Sequence, residues 1–420
     1  MKQLLAGCRL VIGILSTAIF LSGCMKDTAT RTYRIFTPVY KSTAEVMANM
    51  TSNNPREIKH AGKLVVLGKY IFLNEVDRGF HIIDNSNPSS PRSVAFVDIP
   101  GNVDLAVKGN FLYADSYTEL VTLDITDPLH VRVKKVIEDA FPERRYANGF
   151  MGDTSRVIVD WLQKDTTVSY DLNNGNWRAG CPGCGFAVDM ASSFAAPPQN
   201  SQIGTGGSMA RFTIIRETLY TVGESNMSVY TISSPADPVF STNVALGWGI
   251  ETIFPFRDRL FIGSTTGMFI YDVSNPVSPT RLGRFSHVTA CDPVIADDKF
   301  AFVTLRSGLR CSNAGDQLDV LDVSNLSSPT LIKTYRMTNP HGLAKDGNTL
   351  FICDGTDGLK IFDAGDVKNL KLIDHVKGFE SYDVIALNKL AIVVAKDGLR
   401  EFDYSDPANV KLLSSLRWAQ

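Results

Sequence analysis

The sequence predicts an all-β protein: a closed ring of four-stranded antiparallel sheets, each sheet one copy of a repeat of about forty residues. Three observations carry this. A short apolar strand closed by an aspartate and a Ser/Asn/Pro turn stands at 266–279, TGMFIYDVSNPVSP. The same phrase recurs as GFHIIDNSNPSSP, ELVTLDITDP, DQLDVLDVSNLSSP, DGLKIFDAGD and DGLREFDYSDP, with weaker copies TTVSYDLNNG and SVYTISSPADP. The anchors of these copies are Asp84, Asp124, Asp171, Thr231, Asp272, Asp322, Asp363 and Asp403, separated by 40, 47, 60, 41, 50, 41 and 40 residues. Between anchors the apolar residues come in runs of three or four, as in strands sandwiched between neighbouring sheets. A forty-residue unit of strand and turn alone has the length of one propeller blade. Eight anchors give eight blades; seven is the alternative, should the degraded third unit not form its own.

The chain begins with an address. Lys2 and Arg9 form a basic start, Leu10 to Phe20 is an apolar run too short to span a bilayer comfortably, and Leu21-Ser22-Gly23-Cys24 follows. Residues 1–23 therefore read as a signal peptide. The ending LSGC resembles the bacterial lipobox, which implies cleavage before Cys24 and acylation of its sulfur, with the mature protein anchored to a membrane and not spanning it. No aspartate follows Cys24, so the inner-membrane retention signal is absent. Lys26-Asp27 looks like a surface-export signal of some Gram-negative lineages. The expected location is the outer membrane, lipid-anchored, with the cell surface as a further possibility.

Residues 24–56 are polar and read as a tether. Within it Ser42-Thr43-Ala44-Glu45 has the capping-box pattern, followed by Val46, Met47 and Met50, which predicts one short helix packed on the ring or on a partner. Residues 57–420 form a single propeller domain. The first blade offers strands at 63–67, 70–74, 81–84 and 92–98; the second reads DLAVKG, NFLYADS, ELVTLDI and VRVKKVI. Turn signals Gly-Asn, Asp-Pro and Asp-Gly join them. The third unit has strands at 156–162 and 167–171, then an insertion at about 173–207 rich in Gly, Ser, Pro and Asn. Regular spacing resumes at Phe212, the last outer strand, 411–416, lies almost at the C-terminus, and closure joins the first and last blades, removing the exposed sheet edge.

The apolar-apolar-apolar-Asp-x-Ser-Asn-Pro phrase, repeated behind a lipobox, resembles the LVIVD-repeat propeller lipoproteins over about residues 57–418. The resemblance implies a propeller on a bacterial envelope and carries no established activity. Few Trp residues and no Trp-Asp endings set the chain apart from WD40 propellers.

Composition narrows the function. With 44% hydrophobic and 20% charged residues the chain is an ordinary globular one, and a net charge of −2 excludes the basic footprint that nucleic acid needs. The repeated aspartates are read as turn caps, since turn geometry demands one per blade. Counting back about twenty residues from each anchor aligns the inner-strand starts: Lys63, Asp104, Asn148, Ser208, Glu251, Asp292, His341 and Asp383. Asp104, Glu251, Asp292, His341 and Asp383 there form a candidate channel-mouth site able to hold a cation or a basic group. The plainer alternative is a polar lining that satisfies strand ends. No cofactor is expected, and a divalent cation at the channel is the one candidate. Cys291 and Cys311 are a candidate disulfide tying an enlarged loop to its blade, worth on the order of 3 kcal/mol. Cys181 and Cys184 are a second candidate, closing a small loop, because no helix follows to make CPGC a redox motif. Half a zinc set is not a zinc site. Cys353 reads as a buried thiol.

No G-x-S-x-G, H-E-x-x-H or G-x-x-x-x-G-K pattern is present. The expected function is a non-catalytic binding or interaction module of the envelope, with an envelope protein or glycan as partner. The alternative is an envelope enzyme working at the channel mouth, a carbohydrate hydrolase or lyase, or less favourably a quinone-dependent dehydrogenase.

Overall fold

The computed structural model describes residues 28–144, 156–171, 203–287, 293–307 and 315–418. The chain divides into two units, 1–39 with 161–186 and 40–160 with 187–420. Residues 1–23, read as a signal peptide, and Cys24 lie outside the described residues, as do Cys181, Cys184, Cys291, Cys311, Asn148 and Asp292.

The smaller unit is part of a two-stranded ribbon, Thr28–Lys41 with Val157–Asp171. Arg34 pairs with Asp165 at 2.9 Å, Thr32 bonds Thr167, and Phe36 meets Trp161 edge-on at 6.5 Å. This ribbon corrects the preference for eight blades. The two strands read for a third blade are one continuous strand, Val157–Asp171: the intervening Gln163-Lys164-Asp165-Thr166 has no Gly, Pro or Asn to break it, and its Asp165 is held across the ribbon by Arg34 instead of capping a turn. Its partner is the segment read as a tether, so Asp171 anchors no blade.

Among the described residues the larger unit holds seven antiparallel blades, each built from four consecutive strands. Their spans are 61–98, 105–137, 212–245, 250–286, 294–336, 343–376 and 381–417, blades I to VII. The remaining seven anchors each end the third strand of a blade, from Asp84 in Gly79–Asp84 to Asp403 in Gly398–Asp403. First strands of consecutive blades adjoin one another and are buried, so they are the inner strands; outer strands such as Thr280–Ser286 hold only half-buried and exposed positions.

A β-bulge interrupts the pairing of third and outer strands in all seven blades, at Ile270/Tyr271 in blade IV and at equivalent positions elsewhere. A bulge increases local twist, which is how each sheet fans from the axis to the rim. The glycine at the entry to the third strand has a packing cause. At Gly267, φ is +153° and an added Cβ would stand 2.2 Å from the Phe285 carbonyl oxygen of the outer strand. Gly79 and Gly358 are in the same position.

The anchor aspartates are turn caps, as read. Asp272 Oδ1 accepts from the Ser274 amide at 2.7 Å, Asp84 from Ser86, Asp322 from Ser324 and Asp403 from Ser405. The hydrogen bonds from Ser274 hold the Asp272 carboxyl below its ordinary value.

Cohesion between blades is apolar. Met268 and Ile270 of blade IV pack with Val303 and Val320 of blade V, and each buried Val, Leu, Ile or Phe contributes about 1.5–3 kcal/mol. Ring closure uses no shared strand: Leu64, Ile71 and Ile83 of blade I pack directly on Ile385, Ile392 and Leu399 of blade VII. The tether adds a short fifth strand, Ser52–Asn53, to the outer edge of blade I. Before it stands the predicted helix, Thr43–Asn49, capped by Ser42 with Glu45 in a full capping box. Its Val46 and Met50 are buried in the core shared by blades I and II.

Candidate functional site

Every inner strand starts at one face of the ring and ends at the other. At the starting face the structure brings several sequence-selected residues together and gives them structural work. Lys63, third residue of Ala61–Leu67, reaches across to Asp104, immediately before Leu105–Lys108, with Nζ–Oδ2 2.9 Å and both side chains buried. Asp104 Oδ2 also accepts from the backbone amides of Arg211 and of Phe212 (3.2 Å), and Oδ1 from its neighbour Leu105 (2.7 Å). Burial pushes this carboxyl upward, and Lys63 and the Arg211 amide pull it back. Asp115 continues the network. Its Oδ1 accepts from the Val103 and Asp104 amides and its Oδ2 pairs with Arg144. Arg211 donates to the backbone oxygens of Ile250 and Glu251 in the next blade, each at 3.3 Å. Blades I to IV are thus stitched by carboxylates and guanidinium groups.

Two candidates retain unpartnered polar atoms among the described residues. His341 is 3% exposed and both ring nitrogens lack a hydrogen bond; burial and the like charge of Arg306 push its pKa down to about 3. Its main chain is fixed, with the amide donating to the Cys353 oxygen at 2.7 Å and its own oxygen accepting from Thr304 Oγ1. Asp383, 1% exposed, accepts from the Val384 amide through Oδ1 while Oδ2 has no partner. Burial raises its pKa well above the ordinary value. Cys353 is a free, fully buried thiol, raised by the same burial. Among the described residues no cluster of three His, Cys, Asp or Glu side chains has a metal-holding arrangement.

The channel is filled by the chain itself. The end of the insertion, residues 203–210, runs along it. Thr205 exchanges two backbone hydrogen bonds with Val66 of blade I, and the Gly204 amide donates to Val107 of blade II. Ser208 Oγ accepts from the Leu343 amide of blade VI, and the Ala210 oxygen from the Ile253 amide of blade IV. Gly204 is required there, since a Cβ would lie 2.5 Å from Val65 Cγ1. Read in the sequence only as part of an insertion, this stretch is a plug, and its GTGGS is small enough to thread a channel.

At the opposite face, where inner strands end, ion pairs link consecutive blades. They are Lys108–Glu217, Arg216–Asp258, Arg257–Asp298 (2.6 Å), Lys345–Asp297 (2.8 Å) and Lys389–Asp346 (2.9 Å). Each lies in or beside the first turn of its blade. Being partly solvated, each contributes about 0–1 kcal/mol.

Comparison with known proteins accords with this architecture. The LVIVD repeat family matches residues 59–98, 101–136, 260–286 and 313–337, that is blades I, II, IV and V. No curated protein sequence matches the chain. Among solved structures, the computationally designed Ika8 protein is similar at TM-score 0.51 and 9% identity, covering 89% of this chain and 91% of that one. A Lactobacillus plantarum protein is similar at TM-score 0.51 and 13% identity, over 84% of this chain and 98% of its own. A Desulfotomaculum acetoxidans protein is similar at 0.50 and 12%, over 84% and 95%. At such identities the likeness is one of fold. Taken with the repeats, it makes this chain a seven-bladed β-propeller carrying LVIVD repeats.

Proposed function

We propose that the protein is a lipid-anchored, non-catalytic binding module of a bacterial outer membrane, with an envelope protein or glycan as its partner. The observation that carries this is how Asp104, His341 and Asp383 are engaged at the channel mouth. Asp104 is consumed by Lys63 and backbone amides, while His341 and Asp383 are buried too deeply to meet a substrate. A general acid or base must come within hydrogen-bond reach of the proton it moves. A plugged channel and a rigid, closed ring favour recognition on the outer surfaces, the usual economy of a scaffold that presents loops. The lipobox at Cys24 supports the anchor and the absence of an aspartate after it the outer membrane. The test is crosslinking on intact cells followed by mass spectrometry, with protease shaving to fix the exposed side. Reproducible recovery of one envelope partner is the expected result. Loss of a measurable turnover on His341→Ala with an unchanged melting temperature would replace this reading with the enzymatic one.

A further inference from the structure

Between the plug and the inner strands lies a cavity of about 480 Å3. Its walls are Val65 of blade I, Ala106 of blade II, Phe212 and Ile214 of blade III and Phe256 of blade IV, closed on the remaining side by Gly204 and Gly206 of the plug. Protein interiors are packed almost without voids larger than a water molecule. A chamber of this size, apolar and with few polar groups, has the dimensions and lining of a small-molecule site. Gly206 keeps it open. No atom comes closer than 3.8 Å to a Cβ built there, so packing does not require glycine, and the space a larger side chain would take is the chamber itself.

The rim decides the ligand class. Its charged groups are Arg257, Asp298 and Asp297, at the turns where the inner strands end. Arg257 is paired with Asp298 at 2.6 Å, and Asp297 with Lys345 at 2.8 Å, while Asp297 Oδ1 also accepts from the Lys299 and Phe300 amides. Every charge at the mouth is therefore already compensated. A charged head group would find no free counter-charge there and would carry its own charge toward an apolar chamber, whereas a neutral hydrogen-bonding head avoids that cost.

We infer that this chamber is a binding site for a small, uncharged amphipathic molecule, its apolar body against the plug and its polar end at the Arg257–Asp298 rim. The site concerns a small ligand and stands apart from the envelope partner, whose presence or absence does not bear on it.

The test is titration of the purified full-length protein with the neutral fluorophore N-phenyl-1-naphthylamine, followed by fluorescence and by methyl NMR. Saturable one-to-one binding is expected, with shifts concentrated on the methyls of Val65, Ile203 and Ile214. Gly206→Leu, filling the chamber, weakens binding at least tenfold; Ala106→Leu does the same from the opposite wall should the first variant fold poorly. The anionic analogue 1-anilinonaphthalene-8-sulfonate binds at least tenfold more weakly than the neutral probe. Unsaturable binding, wild-type shifts that spare those methyls, or undiminished binding in a folded filling variant overturns the site. Equal affinity for the anionic probe overturns the ligand class.

Discussion

Asn85 Nδ2 donates to Glu401 Oε2 at 2.8 Å, joining the first blade to the last across 316 residues of chain. It is a polar contact set in the apolar seam where the ring closes. Glu401 is fully buried, its second oxygen has no partner, and burial pushes its pKa up to about 7 from the ordinary 4.5. A carboxyl raised in the folded state contributes stability that is complete below about pH 4.5 and lost as pH rises through 7. The loss amounts to about 3 kcal/mol. Urea denaturation at pH 5 and pH 8 measures it as the difference between wild type and Glu401→Gln, whose amide still accepts from Asn85. The variant is expected to gain on the wild type as pH rises, and parallel profiles would refute the assignment.

Gly204 and Gly206 lie two residues apart in the plug and have opposite requirements. At Gly204 an added methyl meets Val65 Cγ1 at 2.5 Å and Val107 Cβ at 3.1 Å, both on inner strands that are themselves confined. Gly204→Ala should cost about 1–3 kcal/mol through overpacking. Gly206→Ala, with ordinary van der Waals contacts only, should leave the melting temperature within about a degree, a change of a few tenths of a kcal/mol. Calorimetry on the pair separates a plug seated in the channel from a loop lying free, for which both substitutions would be harmless.

What the sequence revealed follows from the range of the interactions. The bond from Asp272 to the Ser274 amide spans two residues, so a repeated D-x-S phrase discloses both the turn and its cap. The capping box of Ser42 and Glu45 is equally local. The Arg34–Asp165 and Thr32–Thr167 contacts span more than 130 residues, and nothing near Asp171 announces that its strand pairs with the tether. That is why eight units were counted where seven blades form. The same holds at the channel. Aligning strand starts located Lys63, Asp104 and Asp383 at one face, but only the structure shows Lys63 neutralising Asp104 and the Arg211 amide completing its shell.

The caps predict a uniform, modest effect. Asp272→Ala removes an acceptor from the Ser274 amide at the blade rim and should lower stability by about 1 kcal/mol, in line with loss of a helix cap. Asp272→Asn keeps the acceptor and should recover most of it. Because hydrogen bonding depresses the Asp272 pKa, its contribution is present above the ordinary carboxylate range and lost as pH falls through the folded-state value. The wild type and the Ala variant should therefore converge in acid. A difference that persists at pH 2 would assign Asp272 some role other than capping.

Lys63 and Asp104 supply the sharpest distinction between a working channel mouth and a structural one. Replacing Lys63 by Met retains the length of the side chain and removes the cation, leaving a buried carboxylate supported by backbone amides alone. Breaking one side of a buried pair costs about 3–5 kcal/mol, more than either partner's own net contribution, because the stranded charge stays buried. Lys63→Met combined with Asp104→Leu strands no charge and should be less damaging than Lys63→Met alone, although it gives up the links to Arg211 and Phe212. Denaturation of the two single variants and the double variant measures the coupling. A functional acid–base pair would show the reverse pattern, with small stability changes and a lost activity, because a site poised for chemistry is held in place by its surroundings and does not hold them together.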